Sequence, residues 1–304
     1  MEDLVLQAVS ALKKLDSKDF RVLNAIERGM ARYEIVPVQQ IAKLAGLNLN
    51  ETNIRLSKLH KLGLIWRSIG PYVGYVLKVM GYDCLALNAL SKANIVEAIG
   101  RKLGVGKEAD VYDALSPSGE RIALKFHRLG RTSFRQTRRY RVYIGERRHI
   151  SWLYQSRLAA EKEYEALNLL YPKVHVPTPI GHNRHVVVTS YIHGVPLYEI
   201  KELDDPEALL KSIIEDIRTA YNIGVIHGDL SEYNVIVNIE TFEYVIIDWP
   251  QWVSTAHPSA ELLLKRDIRN VLNFFRRRFN IRLDFDSVYS YVKSSKIKIE
   301  EQDK

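Results

Sequence analysis

Among the 304 residues there is one cysteine, Cys84, and only three methionines. A single cysteine makes neither an internal disulfide nor a thiolate metal cluster, so a reducing compartment, the cytoplasm, is expected. Long hydrophobic runs are missing as well. No stretch of 18 apolar residues occurs, and Met1-Glu2-Asp3 opens acidic without an apolar signal core. Neither a membrane span nor a secretion signal is therefore expected. Internal repeats are absent, and so is any composition typical of disorder: 46% of the residues are hydrophobic and 26% charged. A chain of this length and ordinary globular composition predicts two domains.

Positive charge is in excess, and it is unevenly placed. Lysine and arginine number 44 against 36 acidic residues, a net +8. Residues 127–148 hold eight arginines (128, 131, 135, 138, 139, 141, 147 and 148) and one acid, Glu146, for a local +7. Residues 1–93 carry +5, residues 94–126 balance, and residues 149–304 carry −4. Arginine excludes lysine from 127–148 and is interleaved with Phe134, Tyr140 and Tyr143. Guanidinium forks match phosphate oxygens, and both groups stack on unpaired bases, so an anionic partner, RNA, is expected there.

Residues 1–93 read as short helices followed by a hairpin. Leu4, Ala8, Ala11, Leu12 and Leu15 share a helical face. Ser17 is placed to cap a second helix that ends at Gly29, a third runs from Val38 to Gly46, and Asn50 is placed to cap a fourth. Strand-like runs at Leu64–Arg67 and Tyr72–Leu77 then flank Gly70-Pro71. This is the order of a winged helix, with Thr52, Asn53, Arg55 and Lys58 as its expected groove-facing residues. Protein docking is the alternative use of such a module.

From about residue 94 the pattern changes, and chemistry appears in a fixed order. Gly104-Val105-Gly106-Lys107-Glu108-Ala109-Asp110-Val111 fits a glycine-rich loop that closes over polyphosphate. Lys125, fourteen residues after Val111, ends a strand-like run and is placed to neutralise phosphates. It needs a carboxylate on the following helix. Glu163 shares its helical side with Leu167 and Leu170, and Glu161 is the competitor. In His227-Gly228-Asp229-Leu230-Ser231-Glu232-Tyr233-Asn234, Asp229 can orient a hydroxyl or water and accept its proton. Asn234 offers a hard oxygen to magnesium. Asp248, fourteen residues beyond Asn234, closes another apolar run as the second metal ligand. Each acid alone would pass for a helix cap or turn former; the four matches in order do not.

These motifs, with Glu161-Lys162-Glu163-Tyr164 and Ile247-Asp248-Trp249-Pro250-Gln251, resemble the RIO atypical kinases over essentially the whole chain, specifically the branch with an N-terminal winged helix. Gly228 and Trp249 are the distinguishing positions, since ordinary kinases usually have Arg and Phe there. The resemblance implies an α+β fold: a winged helix (1–93) and a two-lobed RIO kinase domain (94–304). Its N-lobe would span about 94–190, with a flexible insertion at 127–150, and its C-lobe about 193–304. It further implies ATP with Mg2+ (or Mn2+), Ser190 and Ile192 as the adenine-binding hinge, self-phosphorylation on serine or threonine, and a cytoplasmic role in maturing the small ribosomal subunit beside its RNA.

Only ten residues separate Asp248 from Ser259, where the next helix is expected, and no Ala-Pro-Glu follows. A peptide substrate would find little platform. ATP hydrolysis, through a phosphorylated aspartate, is therefore expected to matter more than peptide phosphorylation. Two alternatives stand beside this reading: a small-molecule phosphotransferase of the aminoglycoside or choline kinase type, and an inactive RNA-binding scaffold.

Overall fold

Helix starts in the N-terminal region are set by short acidic and amide side chains. In the computed structural model, which describes residues 3–70, 72–106, 108–129 and 152–294, Asp3 accepts from the Val5 and Leu6 N–H groups and opens α1 (Leu4–Leu12). Helix α2 (Ser17–Gly29) is capped by Asp16, not Ser17. Asp16 and Asp19 form a reciprocal capping box, which a lone serine hydroxyl does not match. After the short strand β1 (Val36–Pro37), α3 (Val38–Ala45) stops at Gly46 in the left-handed region. Helix α4 (Leu49–Lys61) is capped by Asn48, two residues before the expected Asn50; its side chain accepts the Glu51 N–H at 2.8 Å. Strands β2 (Ile65–Ile69) and β3 (Val73–Leu77) complete an antiparallel sheet in the order β1-β3-β2. Leu23, Ile26, Ile41, Leu56, Leu59, Leu64 and Ile65 are fully buried beneath these elements.

The groove-facing expectation for α4 is corrected. Thr52 is buried, with its hydroxyl donating to Asn48 O. Arg55 pairs with Asp16, Asp19 and Glu51, and Lys58 with Asp19, whose carboxylate has no exposure. Arg55 and Lys58 are thus answered within the domain, whereas Lys61 at the end of the helix stays exposed. Asn53 does remain exposed. A fifth helix, α5 (Val79–Lys92), follows. It escaped sequence reading because residues 81–87 are buried on every side of it, which leaves no 3.6-residue apolar stripe to detect.

Strands β4 (Ala98–Val105), β5 (Ala109–Leu115) and β6 (Arg121–His127) then run antiparallel in that order, with Val111 opposite Lys125. Beyond β6, Arg128 is buried, so it does not belong to an exposed basic segment; residues 130–150 of the expected insertion lie outside the described residues. Its guanidinium meets Asp83 of α5 in a two-pronged pair at 2.6 and 2.9 Å. His185 Nε2 donates to Asp83 at 2.7 Å, and the His185 ring stacks on Tyr82. The Arg128 N–H donates to Glu108 O at 2.6 Å, its Nε lies 3.5 Å from Asp110, and its guanidinium lies over the Phe126 ring. All these residues belong to one compact unit, the described residues up to Leu158 together with Gly181–Val186. Arg184 of the same returning segment pairs with Glu27 of α2 at 2.7 Å. The winged helix and the first kinase strands thus share one unit across residue 93, because buried ions span it.

The second unit comprises Ala159–Ile180 and the described residues from Val187 onward. It holds most of α6 (Trp152–Leu170), and strands β7 (Pro179–Asn183) and β8 (Val186–Ser190) flank the segment that returns to the first. Next come β9 (Val195–Pro196) and α7 (Pro206–Ile223), the latter capped by Asp205 and closed by Gly224. Two small antiparallel sheets follow: β10 (Val225–Ile226) with β13 (Val253–Ser254), and β11 (Val235–Val237) between β9 and β12 (Tyr244–Ile246). Helices α8 (Ala260–Phe279) and α9 (Phe285–Lys293) pack on α7 around Leu210, Ile213, Leu264, Ile268, Phe275 and Val292. Among the described residues no helix is long and apolar enough to cross a membrane.

Removing one partner from a buried ion pair strands the other. Asp83→Ala should therefore lower unfolding free energy by about 3–5 kcal/mol, read by chemical denaturation. Burial holds His185 below its ordinary pKa, against the opposing pull of Asp83. A histidine kept neutral when folded adds stability that is complete above its unfolded value, near 6.5, and is lost as pH falls towards the folded value. The melting temperature should drop on acidification through that window. His185→Asn, which keeps an N–H donor for Asp83, should flatten the drop; parallel pH curves for the two proteins would contradict this assignment.

Candidate active site

The residues expected to act on a nucleotide are divided between the two units. In the first, β4 and β5 meet at a tight tip where Gly106 N–H donates to Ala109 O at 2.8 Å. A Cβ added to Gly104 would meet no heavy atom within 4 Å, so the protein's own packing does not require glycine there, and the room is free for a ligand's oxygens. Lys107 lies outside the described residues. Val111 and Lys125 are directly paired across the strands and share one face. Glu108 O and Asp110, at the end of this loop, are the groups that meet Arg128.

In the second unit, Glu163 is buried, with Ala160, Ala166, Leu167 and Leu170 on neighbouring turns, whereas Glu161 and Glu165 are exposed. Burial singles out Glu163, since a carboxylate withdrawn from water needs a cation or donors. At the expected hinge, Ser190 N–H donates to Thr178 O at 3.0 Å, and the Ser190 carbonyl accepts the Thr189 hydroxyl at 3.2 Å, which leaves one of its two lone pairs for a ligand. The Ile192 N–H has no acceptor among the described residues. One acceptor and one donor two residues apart suit the edge of an adenine ring.

The loop His227–Asn234 runs between β10 and β11, and its shape is imposed by groups that the sequence reading did not single out. Asp267, inside α8, accepts the Gly228 N–H at 2.7 Å and the Leu230 N–H at 3.0 Å. Arg266 donates to the Gly228 carbonyl and lies 3.7 Å from the Asp229 carboxylate. Gly228 holds φ at +79°, and a Cβ there would lie 2.9 Å from Gln251 O, so only glycine fits. His227 Nε2 donates to Ile247 O at 3.0 Å and its ring packs on Trp249, joining this loop to the Asp248 strand. Asn234 Nδ2 donates to Asp229 O at 2.9 Å, which turns its Oδ1 outward as an acceptor. Ile247 N–H donates to Asn234 O at 2.9 Å, and β11 pairs with β12, so Asn234 and Asp248 are brought side by side. Asp248 stands in the left-handed region at φ +69°, a strained conformation for a non-glycine residue that often marks a functional site. Burial raises the Asp229 pKa; Arg266 opposes that and Asp248 adds to it. Burial also pushes Asp267 up to about 7, against the pull of its two N–H donors.

Two hard oxygens, from Asn234 and Asp248, fit a magnesium ion. Mg2+ commonly takes one or two protein oxygens and fills the remaining positions with water and phosphate. No group of three or more acidic, histidine or cysteine side chains placed to hold a metal ion occurs among the described residues.

Family models agree with this architecture. A model of the RIO domain matches residues 110–288, and a model described as Rio2, N-terminal matches residues 12–93. The chain belongs to the RIO kinase family. The chain is 44% identical to the RIO-type serine/threonine-protein kinase Rio2 of Methanocaldococcus jannaschii, over 86% of this chain and 99% of that one. It is 39% identical to the serine/threonine-protein kinase rio2 of Schizosaccharomyces pombe, over 91% of this chain and 80% of that one. A crystal structure of the Chaetomium thermophilum Rio2 kinase as an ADP/Mg2+–phosphoaspartate complex matches with a TM-score of 0.82 at 35% identity, covering 94% of this chain and 89% of that chain. These matches place the RIO kinase in the Rio2 branch, with a winged helix ahead of a protein-kinase-like domain. They remove the aminoglycoside- or choline-kinase alternative.

Asp267 and Arg266 carry no sequence signal, because they sit within an amphipathic helix 37 to 39 residues from the backbone groups they hold. Asp267→Asn keeps one acceptor oxygen for two N–H groups. Losing one hydrogen bond to a charged group costs about 1.5–3 kcal/mol, so turnover should fall roughly ten- to a hundredfold. Nucleotide affinity, measured by fluorescent ADP titration, should change little. Equal losses in affinity and turnover would show that Asp267 supports the fold rather than the loop.

Proposed function

We propose that this RIO kinase is a magnesium-dependent ATP phosphotransferase whose main turnover is ATP hydrolysis through an aspartyl phosphate, coupled to maturation of the small ribosomal subunit. The convergence of Asp229, Asn234 and Asp248 on one braced loop carries the reading. Adenine would be held by the Ser190 carbonyl and Ile192 N–H, and the phosphates by the Gly104–Val111 loop and Lys125, with Glu163 as the partner of that lysine. Asn234 and Asp248 would hold Mg2+ (or Mn2+), which supplies positive charge to the phosphate oxygens.

In the first step a carboxylate oxygen attacks the γ-phosphorus, the bond from that phosphorus to the β–γ bridging oxygen breaks, and ADP leaves with the electron pair. Water then attacks the acyl phosphate, releasing phosphate and regenerating the carboxylate. Asp229 in this loop and Asp248 beside it, after β12, are the candidate carboxylates, since Glu232 is held by Arg277, and the raised pKa of Asp229 suits it to take a proton from water or from a hydroxyl. The related Chaetomium enzyme, crystallised with phosphoaspartate, supports this chemistry. Self-phosphorylation on serine or threonine follows when a hydroxyl replaces water.

RNA of the precursor small subunit is the proposed partner, in the cytoplasm. Residues 130–148 keep seven arginines against Glu146 after Arg128 is set aside, a net +6. Within the winged helix Arg55 and Lys58 are internally paired, so its +5 is carried by other cations of residues 1–93.

Acid-quenched protein from [γ-32P]ATP should carry label that hydroxylamine releases, as acyl phosphates require; label wholly resistant to hydroxylamine would refute the aspartyl step. Asp229→Ala should abolish turnover while nucleotide binding persists, and unchanged turnover would remove Asp229 from the chemistry. Co-sedimentation with precursor small subunits should weaken steeply with salt. Replacing three of the arginines in 130–148 by glutamine should reduce the log–log slope by about two. An unaltered slope would place the docking elsewhere.

A further inference from the structure

Helix α8 ends in Arg276-Arg277-Arg278, all exposed, in a unit whose sequence is otherwise slightly acidic. Basic residues at a helix C-terminus complement its dipole, but these have company that the dipole does not explain. Tyr198 and Tyr233 lie with ring centroids 4.8 Å apart at a tilt of 37°. They are 40% and 62% exposed, so the pair covers no core. Tyr198 N–H donates to Glu232 O at 3.2 Å, fixing the two tyrosine-bearing segments together. Arg278 Nη2 donates to Tyr198 O at 2.8 Å, and Arg277 Nη2 lies 3.4 Å from Glu232 Oε1. Arg278 is therefore stationed on the backbone that presents Tyr198, Arg277 on the side chain next to Tyr233, and Arg276, the residue before it, donates to Asn273 Oδ1 at 3.1 Å. Two acids are local. Glu199 accepts the Tyr198 hydroxyl at 2.7 Å and Glu232 is answered by Arg277, while Arg276 and Arg278 have no acidic partner among the described residues.

We propose that Tyr198, Tyr233 and Arg276–Arg278 form a docking surface for unpaired RNA nucleotides. Open tyrosine faces bordered by guanidiniums are what a single strand uses: bases stack on the rings whatever their identity, and the arginine forks take the phosphates. A phosphopeptide would instead need a recess that strips water from one phosphate, and these arginines stand on open surface. Tyr233 directly precedes Asn234, the proposed metal ligand, so an occupied platform adjoins the loop that turns over ATP. RNA bound here gains a direct route to the reaction. The surface is separate from residues 130–148; it extends the RNA reading above and survives if that segment touches no RNA.

The test uses the full chain and a fluorescein-labelled oligouridylate, with affinity read by anisotropy. Tyr198→Ala and Tyr233→Ala should each weaken binding about 5- to 100-fold, since one stacked base contributes that much. Tyr233→Phe should restore it, which separates stacking from folding. Neither tyrosine change should alter the salt slope, whereas the Arg277→Gln, Arg278→Gln pair should reduce it by about one to one and a half. A 4-thiouridine probe should photocross-link at Tyr198 or Tyr233. Unchanged affinity in both alanine variants, or cross-links confined to other segments, would overturn the proposal. So would arginine changes that impair capture of a phosphopeptide but not of the oligonucleotide. Loss of the oligouridylate through arginine changes in 130–148 alone would support the segment and reject this surface.

Discussion

A charge taken out of water must be answered within hydrogen-bond distance, and each unit is organised around one such answer. In the first, Arg128 and Asp83 meet with almost no solvent exposure, and His185 supplies a further donor. Burial alone would raise the Asp83 pKa, yet Arg128 and His185 outweigh it and hold the carboxyl below its usual range. The pair therefore stays ionised and rigid. Because the Arg128 backbone also holds Glu108 O, the position of α5 and that of the phosphate loop are fixed by the same residue. In the second, Asp267 does the equivalent work from within α8 by gripping two N–H groups of the catalytic loop.

This economy explains which features can be read in the sequence. Lys125, Asp229, Asn234 and Asp248 stand out in the sequence because phosphoryl transfer demands particular side chains at short spacings, each next to an apolar strand that declares its own period; the structure sets Asn234 and Asp248 side by side, and their roles belong to the proposed function. Arg128 was misread because an arginine at the border of an arginine-rich run has the same local pattern whether it is solvated or buried. Its partner lies 45 residues away, in a helix whose all-round burial hides its period. The same holds for Asp267 and Arg266, where an acid and a base in a helix look like surface charge until the loop they hold is seen. Caps moved by only a residue or two, since Asp16 and Asn48 compete with Ser17 and Asn50 on nearly equal local terms.

Charge counting by segment also changes meaning once pairing is known. The +5 of residues 1–93 already subtracts Asp16, Asp19 and Glu51, so Arg55, Lys58 and Lys18, which those acids hold, add nothing to it, and the excess lies on other cations. A cation already matched at short range gains little from a phosphate and must surrender its partner to reach one. The expected groove-facing cations of the fourth helix, Arg55 and Lys58, are thus already matched. Asn53 and Ile54 in its middle stay exposed, as does Lys61 at its end.

The −4 of the C-terminal half hides the opposite situation. There the arginines at the end of α8 are exposed beside an uncovered tyrosine pair, while the acids that set the sign of the total are spread over other surfaces. Long-range attraction follows the sum, but short-range recognition follows the local set of donors and ring faces, because salt screens charges beyond about 8–10 Å. A unit can therefore be acidic as a whole and still bind a polyanion at one place. In this kinase the proposed place adjoins the His227–Asn234 loop through Tyr233, so on that proposal docking and turnover would meet in adjacent residues, Tyr233 and Asn234.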